Sequence, residues 1–286
     1  MPQIGSPLRR GLPGIALAVL AVLACAHPGP ASRTESALAA ATVGDHRSEQ
    51  NIARNPFRHP LETLVFFGFE DDMTVIEANP GGLWYSEILA PVLRERGRYI
   101  AATYDISLPN RPDYQTRSYE NMTKRFANEP EVFGRPVVAQ LSPPDSIDLG
   151  PPGSADMVVT FRSTHGWIRG NAAEAVYAAF FDVLKPGGLL GVVQHRAGPE
   201  TPDGFSGYVA EDRLIALATG VGFVLEASSE LNANPKDTAN HKGGVWSLPP
   251  TFRLGDENRD EYAAIGESDR MTLRFRKPWG APQRNP

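Results

Sequence analysis

The sequence predicts an α/β fold: a doubly wound, mostly parallel sheet of seven strands with an antiparallel last strand. From residue 59 onward, short apolar runs with strand composition alternate with helical patterns, and Gly or Pro residues separate them. Such alternation implies parallel strands with helices on both faces. The run at 271–276 alternates apolar and polar residues with a period of two, which is typical of an exposed or edge strand.

The elements are predicted in the following order. A helix begins at Pro60, which suits a first helical turn, and ends at Gly68. The remaining segments follow from apolar periodicity and β-branched composition. Strands are predicted at 74–78, 99–103, 137–141, 155–161, 189–194, 223–230 and 271–276, and helices at 84–96, 113–128, 172–184 and 209–220.

A polar insertion precedes the last strand. Residues 231–270 are dense in Asn, Asp, Gly, Pro and Lys but retain large apolar residues such as Trp246 and Tyr262. A segment of this length in a compact domain is either disordered or a functional cover. We expect an ordered lid or flank, because its apolar side chains supply surface for packing. The folded domain is expected to span 56–278, followed by a short tail at 279–286.

The N-terminus has the pattern of an export signal. Arg9 and Arg10 precede an apolar run from Ile15 to Ala24, which is too short to span a bilayer. Residues 1–24 are therefore predicted to be a signal peptide. Residues 25–55 are rich in Ala, Ser, Pro and Thr and lack sustained periodicity, so they are predicted to form a flexible tether.

The only cysteine lies at the end of this signal. Val22-Leu23-Ala24-Cys25 resembles the lipobox of bacterial lipoproteins, in which the cysteine is lipidated. The alternative is an ordinary cleavable signal with an incidental thiol. The protein is thus expected to be exported, and either periplasmic or anchored to a bacterial membrane by a lipid on Cys25. A single cysteine also excludes an internal disulfide.

Composition excludes several classes of function. The formal net charge is −5, and removal of residues 1–24 would make it −7, so no nucleic-acid partner is expected. The six histidines are dispersed and one cysteine cannot make a thiolate site, so no metal is expected. A nucleophile elbow and a P-loop lysine are also missing. We expect a small-molecule substrate, while the oligomeric state stays open.

The first strand ends in the most informative motif. Val75-Ile76-Glu77-Ala78 is followed by Asn79-Pro80-Gly81-Gly82 and a helix. Glycines allow the backbone to approach a ligand closely, and the free N–H groups at the start of a helix favour an anionic group. This pattern indicates a loop that holds a nucleotide-like cofactor.

Further motifs give the chain a family resemblance. The order of elements, the glycine turn and Lys185-Pro186-Gly187-Gly188 before a later strand resemble a class I S-adenosylmethionine-dependent methyltransferase. More narrowly, residues 58–68, 232–237 and 266–271 resemble a family of exported predicted methyltransferases of bacteria. The resemblance covers nearly all of residues 54–278 and implies S-adenosylmethionine as cofactor.

The resemblance also implies the cofactor-binding residues. Glu77 corresponds to the acid of the first motif, which organises the loop or binds the amino group of the cofactor. Asp105 follows the second strand, where such enzymes place an acid on the ribose hydroxyls, and Asp145 is a weaker candidate for the adenine. The expected cofactor contacts are Glu77, Asn79, Gly81, Gly82, Tyr85, Asp105 and Phe161, the last beside the sulfonium.

Substrate chemistry is expected beyond the carboxyl ends of the strands. The fourth strand runs into Arg162 and His165, and the fifth ends in His195. A histidine is suited to remove a proton near neutral pH, and an arginine binds an anionic group. His165, His195 and Arg162 are therefore the catalytic candidates. The alternative is that they belong to ordinary hydrogen-bonded loops and strand ends.

The glycine loop departs from the common pattern at two positions. Asn79 and Leu83 stand where glycine is common in the family. Asn tolerates left-handed backbone geometry, but Leu does so poorly. Two functions therefore stay open: a methyltransferase that acts on an unknown small molecule in the cell envelope, and a non-catalytic module on the same fold that binds a small molecule.

Overall fold

The computed structural model describes residues 1–2, 32–201 and 205–280. The predicted signal peptide, Cys25 and most of the tail lie outside these residues. One mixed sheet organises the rest of the chain. Its strands are β1 Thr74–Ala78, β2 Arg98–Thr103, β3 Val137–Ser142, β4 Ser146–Asp148, β5 Ala155–Phe161, β6 Leu184–His195, β7 Val224–Ser229 and β8 Arg270–Arg276.

Helices cover both faces of this sheet. They are α1 Arg33–Thr42, α2 Glu49–Ile52, α3 Asn55–Arg58, α4 Pro60–Phe67, α5 Ser86–Leu93, α6 Asp113–Asn128, α7 Pro130–Phe133, α8 Thr164–Arg169, α9 Ala173–Val183, α10 Glu211–Gly220 and α11 Arg259–Ile265, with a 3-10 turn at Gly244–Ser247. None of the helices in the described part of the chain has both the length and the apolar character needed to cross a membrane.

The sheet has eight strands in the order β4-β3-β2-β1-β5-β6-β8-β7. Strands β1, β2, β3, β5 and β6 run parallel, and β8 is antiparallel to both of its neighbours. The predicted doubly wound sheet with an antiparallel last strand is thus confirmed. The additional strand is β4, which is too short for its composition to be distinctive and pairs with β3 as a hairpin.

The position of β8 differs from the expected one. It lies between β6 and β7 and is mostly buried, whereas β7 forms the edge. The alternating residues in β8 are arginines whose charges are paired. Arg274 and Arg276 both contact the carboxylate of Glu226, at 2.9 and 2.8 Å. Because these ion pairs balance the charges of the two arginines, a polar alternation here does not require an open edge.

The core lies in two layers, one on each face of the sheet. Val75 packs with α1, α4 and α5 on one face, while its neighbour Ile76 packs with α9 and α10 on the other. Val158 and Val159 divide between the two faces in the same way. Successive side chains of a strand point to opposite faces, so a strand buried on both faces appears as a continuous apolar run.

The predicted flexible tether is wrong for the described residues 32–55. Helix α1 begins at a capping box, in which Ser32 accepts from the backbone N–H of Glu35 and the Glu35 carboxylate accepts from that of Ser32. Leu38 is completely buried against α4 and α5. This helix buries one face with small residues and has no strong apolar stripe. Its composition is therefore similar to that of a linker. The compact unit accordingly begins at Ser32.

A buried carboxylate holds this N-terminal segment in place. Glu87, on α5, accepts hydrogen bonds from Arg47, Asn51 and Arg125. Nearby, the indole N–H of Trp84 donates to the backbone oxygen of Asn51 at 3.0 Å. These contacts bring α2 and α3 beside the loop that follows β1, and so the segment contributes to the site described below.

The insertion at 231–270 is ordered and packs beside the ends of β6 and β8. Asp237 is buried and accepts hydrogen bonds from Tyr208, His241 and two backbone N–H groups. Asn232 donates to Thr63 and Thr272, and thereby connects the insertion to α4 and β8. The 3-10 turn and the prolines after it extend over the carboxyl end of the sheet.

Candidate active site

Two adjoining cavities open at the carboxyl ends of β1 and β5, with volumes of about 560 and about 500 Å³. Their shared wall is formed by the loops after these two strands and consists of Asn79, Gly81, Arg162 and His165. This edge of a parallel sheet is where ligands bind in doubly wound folds. The four shared residues are all among the predicted site residues.

The loop after β1 adopts the conformation of a glycine loop. Asn79, Gly81 and Leu83 have φ values of 53°, 57° and 65°, all in the left-handed region. No hydrogen bond from the backbone N–H of Gly81 or Gly82 is found within the described residues. A Cβ added to Gly82 would meet no atom within 4 Å, and the Oδ1 of Asn79 is buried without a partner in the described structure. The loop thus presents unused donors and one unused acceptor.

Leu83 does not narrow either of these cavities. Its side chain is buried in the core layer with Trp84 and Ile88, and it lines only a smaller groove next to α6. The departure from glycine at this position therefore costs backbone strain but does not occupy ligand space. A left-handed conformation in a non-glycine residue costs on the order of 1 kcal/mol.

Glu77 lies in the wall of the second cavity and is nearly completely buried. Its Oε2 accepts from the hydroxyls of Tyr99 and Ser86 at 2.6 and 2.7 Å. Burial raises the pKa of Glu77 to about 7, against the opposing effect of these two hydrogen bonds. The acid therefore anchors α5 and β2 to β1, and Oε1 has no partner among the described residues.

The first cavity lies beyond β1, β2 and β3. Its further walls comprise polar and aromatic residues from the loops after these strands and from α6 and α8, namely Thr103, Tyr104, Asn110, Gln115, Ser142, Asp145, Ser163 and Trp167. Asp145, the weaker adenine candidate, is among them.

Asp105 is absent from the walls of both cavities, as far as the described residues define them. Its carboxylate accepts from the backbone N–H and the hydroxyl of Ser107, which lower its pKa. The backbone N–H of Asp105 donates to the hydroxyl of Ser142, so it is not free to bind a ligand. The expected contact of Asp105 with a ribose stays a prediction, with no cavity contact to support it.

Tyr85 and Phe161 form a stacked pair in the second cavity. Their ring centroids lie 3.5 Å apart with an interplanar angle of 6°. The hydroxyl of Tyr85 donates to the backbone oxygen of Arg58 at 3.3 Å. Both residues were expected on the cofactor side, but they line only the second cavity, where one face of each ring is covered by the other.

His165 lies in the wall between the two cavities. Its Nδ1 is 3.2 Å from Nε2 of Gln194, which also lies 3.2 Å from the carbonyl oxygen of Gly207. Burial lowers the pKa of His165 to about 4, and the charge of Arg162 adds to this shift. His165 is therefore neutral near pH 7. Because its Nδ1 accepts a hydrogen bond, Nε2 carries the proton.

His195 lines the second cavity only. Its Nδ1 is 2.6 Å from the hydroxyl of Ser268. Burial, followed by the charge of Arg162, lowers its pKa well below the usual value. A hydroxyl can accept as well as donate, so this contact permits the tautomer in which Nε2 has a free lone pair. In that tautomer Nε2 of His195 can accept a proton, whereas Nε2 of His165 already carries one.

Arg162 extends into both cavities from a left-handed position with φ 62°. No ion pair or side-chain hydrogen bond of this residue is found among the described residues. Burial lowers its pKa to about 10, and the nearby charge of Arg270 contributes. At neutral pH it therefore remains a cation, and the described part of the chain supplies no side-chain partner for it.

Three charged residues in the wall of the second cavity were not predicted as site residues. Arg54 and Arg58 come from the segment expected to be a tether, and Glu267 comes from the insertion. The spacing of the two arginines matches one helical face, which was the available signal. Both arginines pair with Glu267, and Arg58 lies 209 residues from it in the sequence. A local sequence pattern does not reveal a contact between such distant positions.

The described residues contain no group of three or more His, Cys, Asp or Glu side chains placed to hold a metal ion. The arrangement instead offers a glycine loop with unused backbone donors, a buried acid, two neutral histidines and an unpaired arginine. Such a set is suited to holding a polar ligand beside a second, charged one.

Comparison with known proteins identifies structures with the same fold. A S-adenosylmethionine-dependent methyltransferase from Aquifex aeolicus is 12% identical, with a TM-score of 0.51 over 79% of this chain and 93% of that chain. The (4+2)-cyclase SpnF is 15% identical, with a TM-score of 0.53 over 83% of this chain and 86% of that chain. No protein-family model matches the sequence. No curated protein sequence matches it either.

At these identities the likeness concerns the fold and not the reaction. The matches do not support the narrower resemblance to exported bacterial methyltransferases. They do extend over most of both chains. The chain therefore has the fold of the class I S-adenosylmethionine-dependent methyltransferases.

Proposed function

We propose that the protein is a S-adenosylmethionine-dependent methyltransferase that acts on a small molecule in the cell envelope. The observation that carries this proposal is the pair of adjoining cavities, which share the wall formed by Asn79, Gly81, Arg162 and His165. A group-transfer enzyme needs two ligands in contact, and a shared wall lets the reacting atoms meet at its edge. Each cavity has a volume suited to a small molecule.

The residues of the glycine loop fit the cofactor. The cofactor would lie in the first cavity with its amino-acid end at the shared wall, where it would reach Glu77 and Gly82 at the edge of the second cavity. The backbone N–H groups of Gly81 and Gly82 would bind its carboxylate, and the unpartnered Oδ1 of Asn79 and the Oε1 of Glu77 would bind its amino group. The open space at Gly82 leaves room for this approach. When bound, S-adenosylmethionine supplies an electrophilic methyl group.

The residues of the second cavity would prepare the acceptor. His195 would take a proton from the accepting oxygen or nitrogen through Nε2, while its Nδ1 donates to Ser268. His165 would donate through Nε2 and orient a ligand oxygen. The insertion contributes Val245 and Trp246 to the wall and would limit the access of water.

A location in the cell envelope is proposed from the sequence of residues 1–25, which resembles an export signal followed by a lipidated cysteine. Export raises the question of the methyl donor, which is made in the cytoplasm. A site that retains a ligand from the cytoplasm would answer it. Mass spectrometry of the small molecules retained by the purified protein tests this idea.

The alternative function is a module that binds a small molecule without transferring a group. It was motivated by the missing glycines at 79 and 83. Both positions have left-handed geometry, and Leu83 lies outside the two cavities, so this motivation is weaker than the sequence suggested. The fold also occurs in a protein named as a cyclase, so it does not by itself imply methyl transfer.

Calorimetric titration of the purified protein with S-adenosylmethionine and S-adenosylhomocysteine tests the proposal. We expect binding in the micromolar range and a rise in melting temperature. The absence of both heat and thermal shift at millimolar ligand would contradict it. Binding of both compounds without transfer of a labelled methyl group to any molecule of a cell-envelope extract would favour the alternative.

A further inference from the structure

Arg58 is an unusual feature of the second cavity, because it is a buried cation with unused donors. Its side chain is 1% exposed. The Nε atom donates to Glu267, at 3.0 Å from Oε2. Both terminal nitrogens, Nη1 and Nη2, are buried and have no hydrogen-bond partner in the described structure. Arg58 is among the residues that line the second cavity.

Burying a guanidinium group whose terminal nitrogens have no hydrogen-bond partner is unfavourable. Unpaired buried charges and donors lose their hydration without compensation. Burial accordingly lowers the pKa of Arg58 well below its usual value, and the charge of Arg162 lowers it further. The ring of Trp84, at 4.6 Å from Cζ, compensates only part of this cost. The two nitrogens thus form a site that an anion would complete.

The surroundings strengthen the positive charge. Arg54, Arg58 and Arg270 all contact one carboxylate, that of Glu267. Arg162, which has no side-chain partner among the described residues, is close enough to this cluster for its charge to interact with Arg270 and Glu267. Three guanidinium groups therefore share one carboxylate, and the charge of a fourth acts on the same cluster.

The other titratable groups around the cavity do not balance this charge. Glu77, whose pKa is raised to about 7, is partly protonated at neutral pH. His165 and His195 are neutral there. The donors of Arg270 are taken by Glu267, the backbone oxygen of Ser268 and that of Phe57. Within the described structure, Arg58 and Arg162 keep unused donors, while the partly exposed Arg54 donates to Glu267 through Nε.

We infer that the second cavity binds the substrate by an oxyanion group, a carboxylate or a phosphate, held by the terminal nitrogens of Arg58 and by Arg162. This inference rests on the proposed function in one respect, namely that the bound molecule is the methyl acceptor. Planar guanidinium groups bind such oxyanions through paired hydrogen bonds. The oxyanion anchors the molecule, and the shared wall at Arg162 and His165 places its other end near the first cavity.

Calorimetry with simple probes tests the inference without S-adenosylmethionine. The probes are inorganic phosphate, benzoate and the uncharged benzamide, each titrated into the full-length protein. We expect saturable binding of at least one of the two anions and none of benzamide. Benzoate tests a carboxylate beside the aromatic wall of Trp84 and Phe161, and phosphate tests the tetrahedral oxyanion.

Variants of Arg162 provide the specific readout. Since this residue has no protein partner in the described structure, Arg162→Gln should leave the fold intact and weaken anion binding at least about tenfold. Arg162→Lys keeps the charge and should retain part of the affinity. The control is Arg33→Gln, which makes the same charge change at the amino end of β1, where Arg33 pairs with Asp71, and should bind as the wild type does.

The outcomes separate this inference from the proposed function. Binding of S-adenosylmethionine without binding of either anion, or equal anion affinity in Arg162→Gln and wild type, would overturn the oxyanion site and leave the methyltransferase proposal standing. Anion binding that is lost in Arg162→Gln, in a protein that fails to bind S-adenosylmethionine, would support the oxyanion site and contradict the methyltransferase proposal.

Discussion

Gln194 Nε2 lies 3.2 Å from Nδ1 of His165 and equally far from the carbonyl oxygen of Gly207. A carbonyl oxygen only accepts, so this atom is the amide nitrogen, and it donates to the imidazole. The contact assigns the proton of neutral His165 to Nε2. His165 thus acts as a hydrogen-bond donor at neutral pH rather than as the base.

Replacing the donor at position 194 by an acceptor should move the proton of neutral His165 to Nδ1 and raise the pKa of this residue. In Gln194→Glu the carboxylate accepts from Nδ1, so we expect the pKa of His165 to rise from its lowered value of about 4. The carboxylate faces the Gly207 carbonyl, so the variant should also lose some stability. Titration of the imidazole signals by NMR measures this pKa. The same change in the exposed Gln140 on β3 should have no effect on them. An unchanged midpoint in Gln194→Glu would contradict the assignment.

Glu77 should make the protein less stable at alkaline pH. Its pKa is about 7 in the folded protein and 4.5 as the reference for the unfolded chain. A raised pKa contributes stability that is complete below pH 4.5 and is lost as pH rises through 7, so the loss amounts to at most roughly 3 kcal/mol above pH 7. Glu77→Gln should remove this slope and be the more stable protein at pH 8. Urea unfolding between pH 5 and 8 measures it.

A matched variant controls for general charge effects. Glu95, whose side chain is 71% exposed, carries the same charge at the surface. The unfolding free energy of Glu95→Gln should follow the wild-type dependence on pH. If Glu77→Gln followed it as well, the raised pKa would be wrong.

The open space beside Gly82 should be ligand space. A Cβ at this position meets no atom within 4 Å, so Gly82→Val should leave the melting temperature nearly unchanged, while it lowers the affinity for S-adenosylmethionine at least about tenfold by filling the loop. Calorimetry and thermal unfolding measure the two effects. Gly220→Val, which is equally free of neighbours but lies at the end of α10, is the control. Full affinity in folded Gly82→Val would place the cofactor elsewhere.

At position 83 a glycine variant should be more stable than an alanine variant, which reverses the usual order of stability. Truncation of this buried side chain costs about 2–5 kcal/mol in either case, because a cavity forms in the core. At φ 65°, however, Gly avoids the strain that Ala keeps, so Leu83→Gly should be about 1 kcal/mol more stable than Leu83→Ala. Chemical unfolding of both variants measures this difference. The opposite order would show that the loop can leave the left-handed conformation.

Much of the fold was predictable because it depends on local pattern. Helix α6 spans the predicted residues 113–128, and β1 spans the predicted 74–78. Both are uninterrupted periodic segments with clear ends. Strand β4 was missed because three residues carry no periodicity, and α8 was missed because its polar residues resembled a loop.

The N-terminal segment shows where composition misleads. Its small and polar residues are typical of a linker, yet Arg47, Asn51 and Asn55 make buried hydrogen bonds that hold it against α5 and the end of α1. A buried polar network stabilises a segment only when all of its partners are present. Those partners lie elsewhere in the chain, so no local window contains the signal.

The sequence by itself determined the succession of strands and helices, the glycine loop after β1 and the polar wall after β5, since each depends on residues that are adjacent in the chain. The tertiary structure decided which side chains share a cavity. It placed β8 inside the sheet, turned Asp105 away from both cavities and brought Arg58 from one end of the domain to Glu267 at the other. Burial and pairing of charges depend on neighbours in space, and these exist only once the chain has folded.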